Sequence, residues 1–267
     1  MITIKLQGGL GNQLFQIFTL INYSLINNVS YYFENKISNV KDRPYYFNNF
    51  LINLNNKIQN YTHKYIYKEK AFHYNKIILQ ENQTKLEGYF QSYKYFIEKE
   101  KEIFKIINLY EQQENIKNKY KYDYDNTISI HFRIGDYKKI QNYHIILSID
   151  YYINSLKKIT KRENWTILYF YEHNDENIVK NNINILEKEF PNLKFIPIDT
   201  KILDYEQLLI ISVCKHNIIA NSTFSWWGAY FNNNKDKIII YPKEWFGPKL
   251  KDTHKTKDLF PDKWIKI

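Results

Sequence analysis

The sequence predicts an α/β protein built in two parts, and three observations carry that prediction. From residue 127 onward, short apolar runs of strand length alternate with stretches of helical periodicity. The chain opens with a strand, a glycine-rich turn and a helix. Between these regions, residues 111–126 are strongly polar with no sustained apolar pattern, which places a domain junction there.

In order along the chain, residues 2–6 alternate as a strand. Gly8, Gly9 and Gly11 then form a turn, and Leu14, Phe15, Ile17, Phe18, Ile21 and Leu25 recur at helical spacing. Residues 29–33 read as a second strand. The segment 36–83 is polar and aromatic and reads as loops and short helices. Residues 92–107 read as helical, with Tyr95, Phe96, Phe104 and Ile107 on one side. Beyond the junction, strands are expected at 127–132, 166–171, 194–197, 217–220 and 237–241. Helices are expected at 150–159, 176–190, 204–213 and 224–232. This alternation implies a parallel sheet covered on both faces. Such sheets bind ligands at the carboxyl ends of their strands.

Composition narrows the function classes. The 267 residues are 44% hydrophobic, which excludes a disordered polymer. The abundance of Lys, Asn, Ile and Tyr reads as the codon bias of an AT-rich genome. A net charge of +10 attracts anions: nucleic acid, anionic lipid or a phosphorylated substrate. The lysines are scattered, with no arginine-rich arm and no zinc-finger spacing, so no specific nucleic-acid partner is expected. The single cysteine, Cys214, cannot form an internal disulfide; it fits a reducing compartment and reads as a core residue. The N-terminus lacks the apolar core of a signal peptide, and no stretch reaches membrane-span length. A cytoplasmic protein with at most peripheral membrane contact is expected.

Three constellations carry chemistry. In the first, Gly8-Gly9-Leu10-Gly11-Asn12-Gln13 lies between strand and helix, where glycines permit close backbone approach and a helix N-terminus favours anions. Leu14 replaces the third glycine of the dinucleotide fingerprint, and a plain structural turn fits equally well. In the second, His131-Phe132-Arg133-Ile134-Gly135-Asp136-Tyr137, alternation puts His131 and Arg133 on one face at a strand end. An arginine there can hold a diphosphate by paired charged hydrogen bonds. Asp136 can orient that arginine or act as a base. The third, Asn221-Ser222-Thr223-Phe224-Ser225-Trp226-Trp227, joins another strand end to another helix start and is rich in hydroxyl and amide donors. At least one of the two tryptophans belongs to the core.

Weaker signals point elsewhere. Asp123-Tyr124-Asp125 has a metal-binding Asp-x-Asp shape but lies in the polar junction. His173, Asp175 and Glu176 read as a solvated helix start. The other histidines show no metal-ligand spacing, and neither a P-loop nor a Gly-x-Ser-x-Gly elbow occurs.

These motifs occur in one order with Gly88-Tyr89-Phe90-Gln91-Ser92-Tyr93-Lys94-Tyr95-Phe96, Asp150-Tyr151-Tyr152 and Tyr241-Pro242 through Trp245. In that set the chain resembles glycosyltransferase family 11, the α-1,2-fucosyltransferases, over nearly its whole length. The resemblance implies a GT-B-like fold of two Rossmann-like domains with a cleft between them. Residues 1–122 would form the acceptor side and 123–267 the GDP-sugar-binding domain. It implies GDP-fucose as donor, a galactose-terminated glycan as acceptor, inversion at the anomeric carbon, and no metal or other cofactor. Arg133, Asp136 and His131 would be the catalytic set. Gly9, Gly11, Asn12, Gln13, Arg133, Asn221, Ser222, Thr223, Phe224 and Ser225 would contact the donor. Two departures stand out: Ile134 occupies a site often arginine in the family, and Tyr169 to Asp175 replaces the family's usual Ser-Asp-Asp.

Overall fold

A computed structural model of the chain describes residues 1–35, 46–60, 62–159 and 164–267. Part of the segment expected as loops, residues 36–45 and 61, lies outside the described residues. The chain divides into two compact units.

The first unit comprises Met1–Glu111 and Thr253–Pro261. It begins with β1 (Ile2–Ile4) and α1 (Leu10–Asn27), followed by β2 (Phe33–Glu34), β3 (Ile58–Gln59), β4 (Tyr65–Lys68), β5 (Thr84–Glu87) and α2 (Glu100–Ile106). All three residues of β1 are buried, as in a strand covered on both faces. α1 is apolar nearly all round, and Leu14, Phe15, Ile17, Phe18, Leu20 and Ile21 are fully buried. Phe18 meets Phe96 edge-on at 5.4 Å. The helix stops at Asn28, whose left-handed φ of 51° lets its N–H bond the Ser24 carbonyl. The sheet runs β1-β5-β4, all parallel, with a separate parallel pair β2-β3.

Several expectations are corrected here. The strand expected at 29–33 pairs only at 33–34, apart from one bridge from Tyr31 to Ile2. The helix expected at 92–107 is two pieces. A 3₁₀ turn at Tyr93–Tyr95 is capped by Ser92, whose hydroxyl accepts from Lys94 N–H, and α2 follows. Ser92 Oγ donates to the Asp258 carbonyl at 2.5 Å and Lys94 Nζ reaches Asp258 Oδ1 at 2.5 Å, which ties the returning segment Thr253–Pro261 down.

The second unit comprises Gln112–Asp252 and Asp262–Ile267. The polar run at the junction is largely helix: α3 (Leu109–Lys119) begins at the end of the first unit and runs into the second. Gln113 is buried in it, donating to Ser212 Oγ at 2.9 Å and the Phe231 carbonyl at 3.0 Å. Then come β6 (Thr127–His131), α4 (Ile149–Ile159), β7 (Thr166–Phe170), α5 (Glu176–Glu189), β8 (Lys194–Pro197), α6 (Asp204–Val213), β9 (His216–Ile218), α7 (Thr223–Tyr230), β10 (Ile239–Tyr241) and β11 (Ile265–Lys266).

All six strands are parallel, in the order β8-β7-β6-β9-β10-β11. Counted from β6 in chain order this is 3-2-1-4-5-6, the doubly wound nucleotide-binding arrangement. The order reverses between β6 and β9, so ligands of this sheet enter at the carboxyl ends of those two strands. Ile128 and Ile130 of β6, Tyr152 and Leu156 of α4, and Val179, Ile183 and Leu186 of α5 share one core.

α6 and α7 pack closely at Gly228. A Cβ there would lie 2.5 Å from Ile211 Cγ2 and 2.8 Å from its Cβ, and Ile211 is β-branched and stiff. Gly228→Ala gains about 1 kcal/mol of helix propensity, but overpacking costs about 1–3 kcal/mol. The expected net effect is a lower denaturant midpoint; an equal or raised midpoint would show that the two helices can part freely.

Candidate functional site

β6 ends at His131, and Phe132 turns into the core, 4.5 Å from the Tyr152 ring. His131 and Arg133 therefore share the other face, as alternation predicts. Ile134 is buried among the core residues, so this position is filled by apolar packing.

The loop after β6 is built around carboxylates from the β7 side. Gly135 takes φ of +26°, and a Cβ there would lie 2.5 Å from Glu172 Oε2. Its N–H donates to Asp175 Oδ2 at 2.6 Å, and Lys138 Nζ meets Asp175 Oδ1 at 2.6 Å. Asp175 is 1% exposed. The expectation of a solvated helix start at this residue is therefore corrected: its carboxylate is a buried clamp on the 135–138 loop. Glu176 does face solvent, pairing with Lys180.

Arg133 is held on three sides. Nη1 donates to Glu172 Oε1, Nη2 donates to Asp136 Oδ1, and the guanidinium lies 4.9 Å over the Tyr137 ring. Burial opposes its charge, but Glu172, Tyr137 and Asp136 outweigh that, so it stays cationic. Its side chain is 18% exposed, whereas those of Asp136 and Glu172 are 58% and 53% exposed. Ion pairs with such exposed partners contribute only about 0–1 kcal/mol each.

Tyr137 links this loop to the next strand end. Its hydroxyl donates to the Asn221 carbonyl at 3.0 Å, and its ring stacks on His144 at 4.8 Å. Beyond β9, Ser222 precedes α7 without a side-chain cap, and the first-turn N–H groups of α7 have no carbonyl within the helix to bond. Phe224 touches the His131 ring at 5.5 Å. Tyr152 Oη donates to the His131 carbonyl at 3.1 Å, and Tyr151 Oη to the Ile219 carbonyl at 2.6 Å. Adjacent tyrosines of α4 thus fix both strand ends beside the reversal.

The expected site residues separate into two groups. Arg133, Asp136, His131, Asn221, Ser222, Thr223 and Phe224 come together in the second unit, on the carboxyl ends of β6 and β9. Asn221 is spent on positioning: its Nδ2 donates to the carbonyls of Ile145 (3.0 Å) and Trp245 (3.2 Å). Ser225 is fully buried, with its hydroxyl directed at the Ala220 and Ser222 carbonyls. His131 is buried with Nδ1 unpartnered; burial and the Arg133 charge lower its pKa to about 3.

Gly9, Gly11, Asn12 and Gln13 belong to the first unit. α1 begins at Leu10 with Gly9 as its N-cap, so Gly11 is already inside the first turn and buried. The amides stitch loops: Gln13 Nε2 donates to the Gly8 carbonyl at 3.0 Å, and Asn12 Oδ1 accepts from Gln91 Nε2 at 2.9 Å. Gln16 adds a bond to the Gly88 carbonyl at 3.2 Å.

Asp123 and Asp125 are exposed at the amino end of β6, the opposite edge from Arg133. Among the described residues, no group of three His, Cys, Asp or Glu side chains is placed to hold a metal. Cys214 is fully buried and burial pushes its thiol pKa well up, as a core residue requires. Among the described residues no helix is long and apolar enough to cross a membrane. Glu172, Asp175, Tyr137, Tyr151 and Tyr152 were not singled out as site residues by sequence reasoning. The tyrosines lie inside motifs already quoted, Asp175 in the stretch read as a solvated helix start, and Glu172 in the segment Tyr169 to Asp175.

The His131 shift has a sign. Its folded pKa of about 3 lies below the ordinary 6.5, so the unfolded chain binds more protons between those values. Stability is expected to fall as pH drops through that window, by up to about 1.4 kcal/mol per pH unit from this group. His131→Asn should flatten the acid limb of a denaturation-versus-pH series; an unchanged limb would mean the imidazole is accessible and protonated in the fold.

The model of the family described as Glycosyl transferase family 11 matches residues 1–267. The chain is 32% identical over 148 residues to the O-antigen biosynthesis glycosyltransferase WbnK of Escherichia coli, covering 53% of this chain and 45% of that protein. It is 32% identical over 186 residues to an alpha-1,2-colitosyltransferase of Escherichia coli, covering 67% of this chain and 61% of that protein. The chain thus spans about half the length of the curated relatives it matches. Among solved structures it is similar to E. coli ADP-heptose LPS heptosyltransferase II, with a TM-score of 0.37 and 12% identity over 58% of this chain and 42% of that one. With the family pattern running the full length of the sequence, the chain belongs to glycosyl transferase family 11.

Proposed function

We propose that this chain is an inverting transferase that moves L-fucose from GDP-fucose to the 2-hydroxyl of a terminal galactose, or a similar sugar, of a glycan. One observation carries the reading: Arg133 stands at the carboxyl tip of β6, where the sheet order reverses, with the N-terminus of α7 following the adjacent strand β9. That is where a doubly wound sheet receives a nucleotide diphosphate.

In this reading the acceptor oxygen attacks the anomeric carbon from the face opposite GDP. The carbon–oxygen bond to the diphosphate breaks, and its electron pair leaves on the β-phosphate. Arg133 and the first-turn N–H groups of α7 stabilise the growing negative charge. A preorganised donor of this kind is typically worth about 3 kcal/mol of barrier. Before the donor arrives, Asp136 and Glu172 hold the guanidinium fork in place. A diphosphate then replaces them, because a doubly charged, bidentate partner outcompetes two solvated carboxylates. Asp136 serves as an orienting group.

The alpha-1,2-colitosyltransferase relative favours a second reading, in which the donor sugar is colitose. Colitose is fucose without its 3-hydroxyl, so the two readings share every diphosphate contact and differ only around that position.

A panel of GDP- and UDP-sugars against galactose-terminated acceptors, scored by product linkage, separates them. GDP-fucose is expected to give an α-1,2-linked product, and Arg133→Ala to lose at least about a hundredfold in turnover with its unfolding midpoint retained. Preference for GDP-colitose would select the second reading. Undiminished turnover in Arg133→Ala would remove the diphosphate assignment.

A further inference from the structure

Asp175 occupies the residue just before α5, where an aspartate ordinarily accepts hydrogen bonds from the first amides of its own helix. Here its side chain caps nothing in α5. It is 1% exposed, and both of its oxygens are turned to the loop after β6. A buried carboxylate is stable only where partners replace its lost water. Those partners are the Gly135 N–H and the Lys138 ammonium, each at 2.6 Å.

Both partners belong to one 3₁₀ helix, Gly135–Lys139. The first N–H of such a turn has no acceptor within it, and Ile134 before it supplies no side-chain cap. Asp175 is the acceptor that fills this gap.

The turn carries most of what surrounds Arg133. Asp136, between the two anchored residues, accepts from Nη2, and the Tyr137 ring lies 4.9 Å from the guanidinium. The other partner of the fork, Glu172, opens the 3₁₀ turn that ends at Asp175, and the Asp175 N–H donates to the Glu172 carbonyl at 2.8 Å. Through its side chain Asp175 fixes the turn that bears Asp136 and Tyr137. Through its backbone it fixes the residue that holds Nη1.

We propose that Asp175 is a positioning residue for donor binding, holding the Gly135–Lys139 turn in the form that aims the Arg133 fork at the donor diphosphate; this rests on the diphosphate reading of Arg133 given above. A planar guanidinium makes paired bonds to an anion only when its plane and direction are set, whereas an ammonium acts as a point charge. Released from Asp175, the turn shifts, and Asp136 and Tyr137 shift with it. The donor must then order the fork as it binds, which costs affinity.

The test titrates the full chain with GDP by calorimetry. The proteins are wild type, Asp175→Asn, Asp175→Ala, Arg133→Gln and the double variant Arg133→Gln/Asp175→Asn, each with its unfolding midpoint. Asp175→Asn keeps an amide oxygen for Gly135 but sets an NH2 group against Lys138. Removing the carboxylate leaves the site more positive, so attraction alone would tighten GDP. Positioning gives the opposite sign: GDP at least about tenfold weaker in Asp175→Asn, and weaker still in Asp175→Ala, with a single unfolding transition retained. In the Arg133→Gln background, Asp175→Asn should change GDP affinity by less than about twofold, because residues that act through one group do not add. Losses that add across this cycle mark a merely structural Asp175 and overturn the assignment. Asp175 variants that bind GDP at least as tightly as wild type, beside a weakened Arg133→Gln, overturn it while the diphosphate reading stands. If Asp175→Ala does not fold, the Asn variant decides; failure of both to fold makes Asp175 structural and overturns the assignment too. Arg133→Gln that binds GDP like wild type defeats the diphosphate reading, and the positioning role with it.

Discussion

The position of one guanidinium organises the second unit. Arg133 is carried to the tip of β6 by a strand buried on both faces, laid across the Tyr137 ring, and fixed by one carboxylate from each side. None of these contacts is strong alone, since the carboxylates face water. Together they hold a cation in a defined orientation at the one place where the strand order reverses. In the proposed function this is the cation that receives the donor diphosphate, once Asp136 and Glu172 give way.

The surrounding structure keeps that placement from relaxing. Tyr151 and Tyr152, neighbours on α4, donate to carbonyls at the ends of β9 and β6. Tyr137 and Asn221 cross-link the loops that leave those strands, through the Asn221, Ile145 and Trp245 carbonyls. The buried Asp175 clamps the 135–138 loop from the β7 side. His131 remains neutral beside Arg133 and adds no second positive charge next to the guanidinium. The first unit uses the same economy with amides in place of charges: Gln13, Gln16 and Gln91 bind the loops after β1 and β5 to α1.

Much of the second unit was legible because its strands are continuous apolar runs and its helices carry clear periodicity. β8 and α6 fall at the expected residues, and β6, β7, α4 and α5 within one. The first unit was harder. β4 and β5 are four residues each, and three of the four in β5 are polar, with Thr84 and Leu86 buried and Lys85 and Glu87 less so. Two-residue strands such as β11 carry no periodicity to detect. α3 was masked by its polar composition, since a buried Gln113 and Ile116 do not read as an apolar stripe. At the site, Arg133 and Asp136 were visible because they are three residues apart on one motif. Glu172 and Asp175 were not, because their partners lie about forty residues earlier in the chain and only folding brings them together. The return of Thr253–Pro261 to the first unit is likewise a long-range fact.

The most direct test of this account is the affinity of GDP for wild type and for Arg133→Gln, measured by titration calorimetry at two salt concentrations. The account predicts measurable binding to wild type that weakens with salt, and at least about tenfold weaker, nearly salt-independent binding to the variant. Equal affinity and equal salt dependence in the two proteins would contradict it.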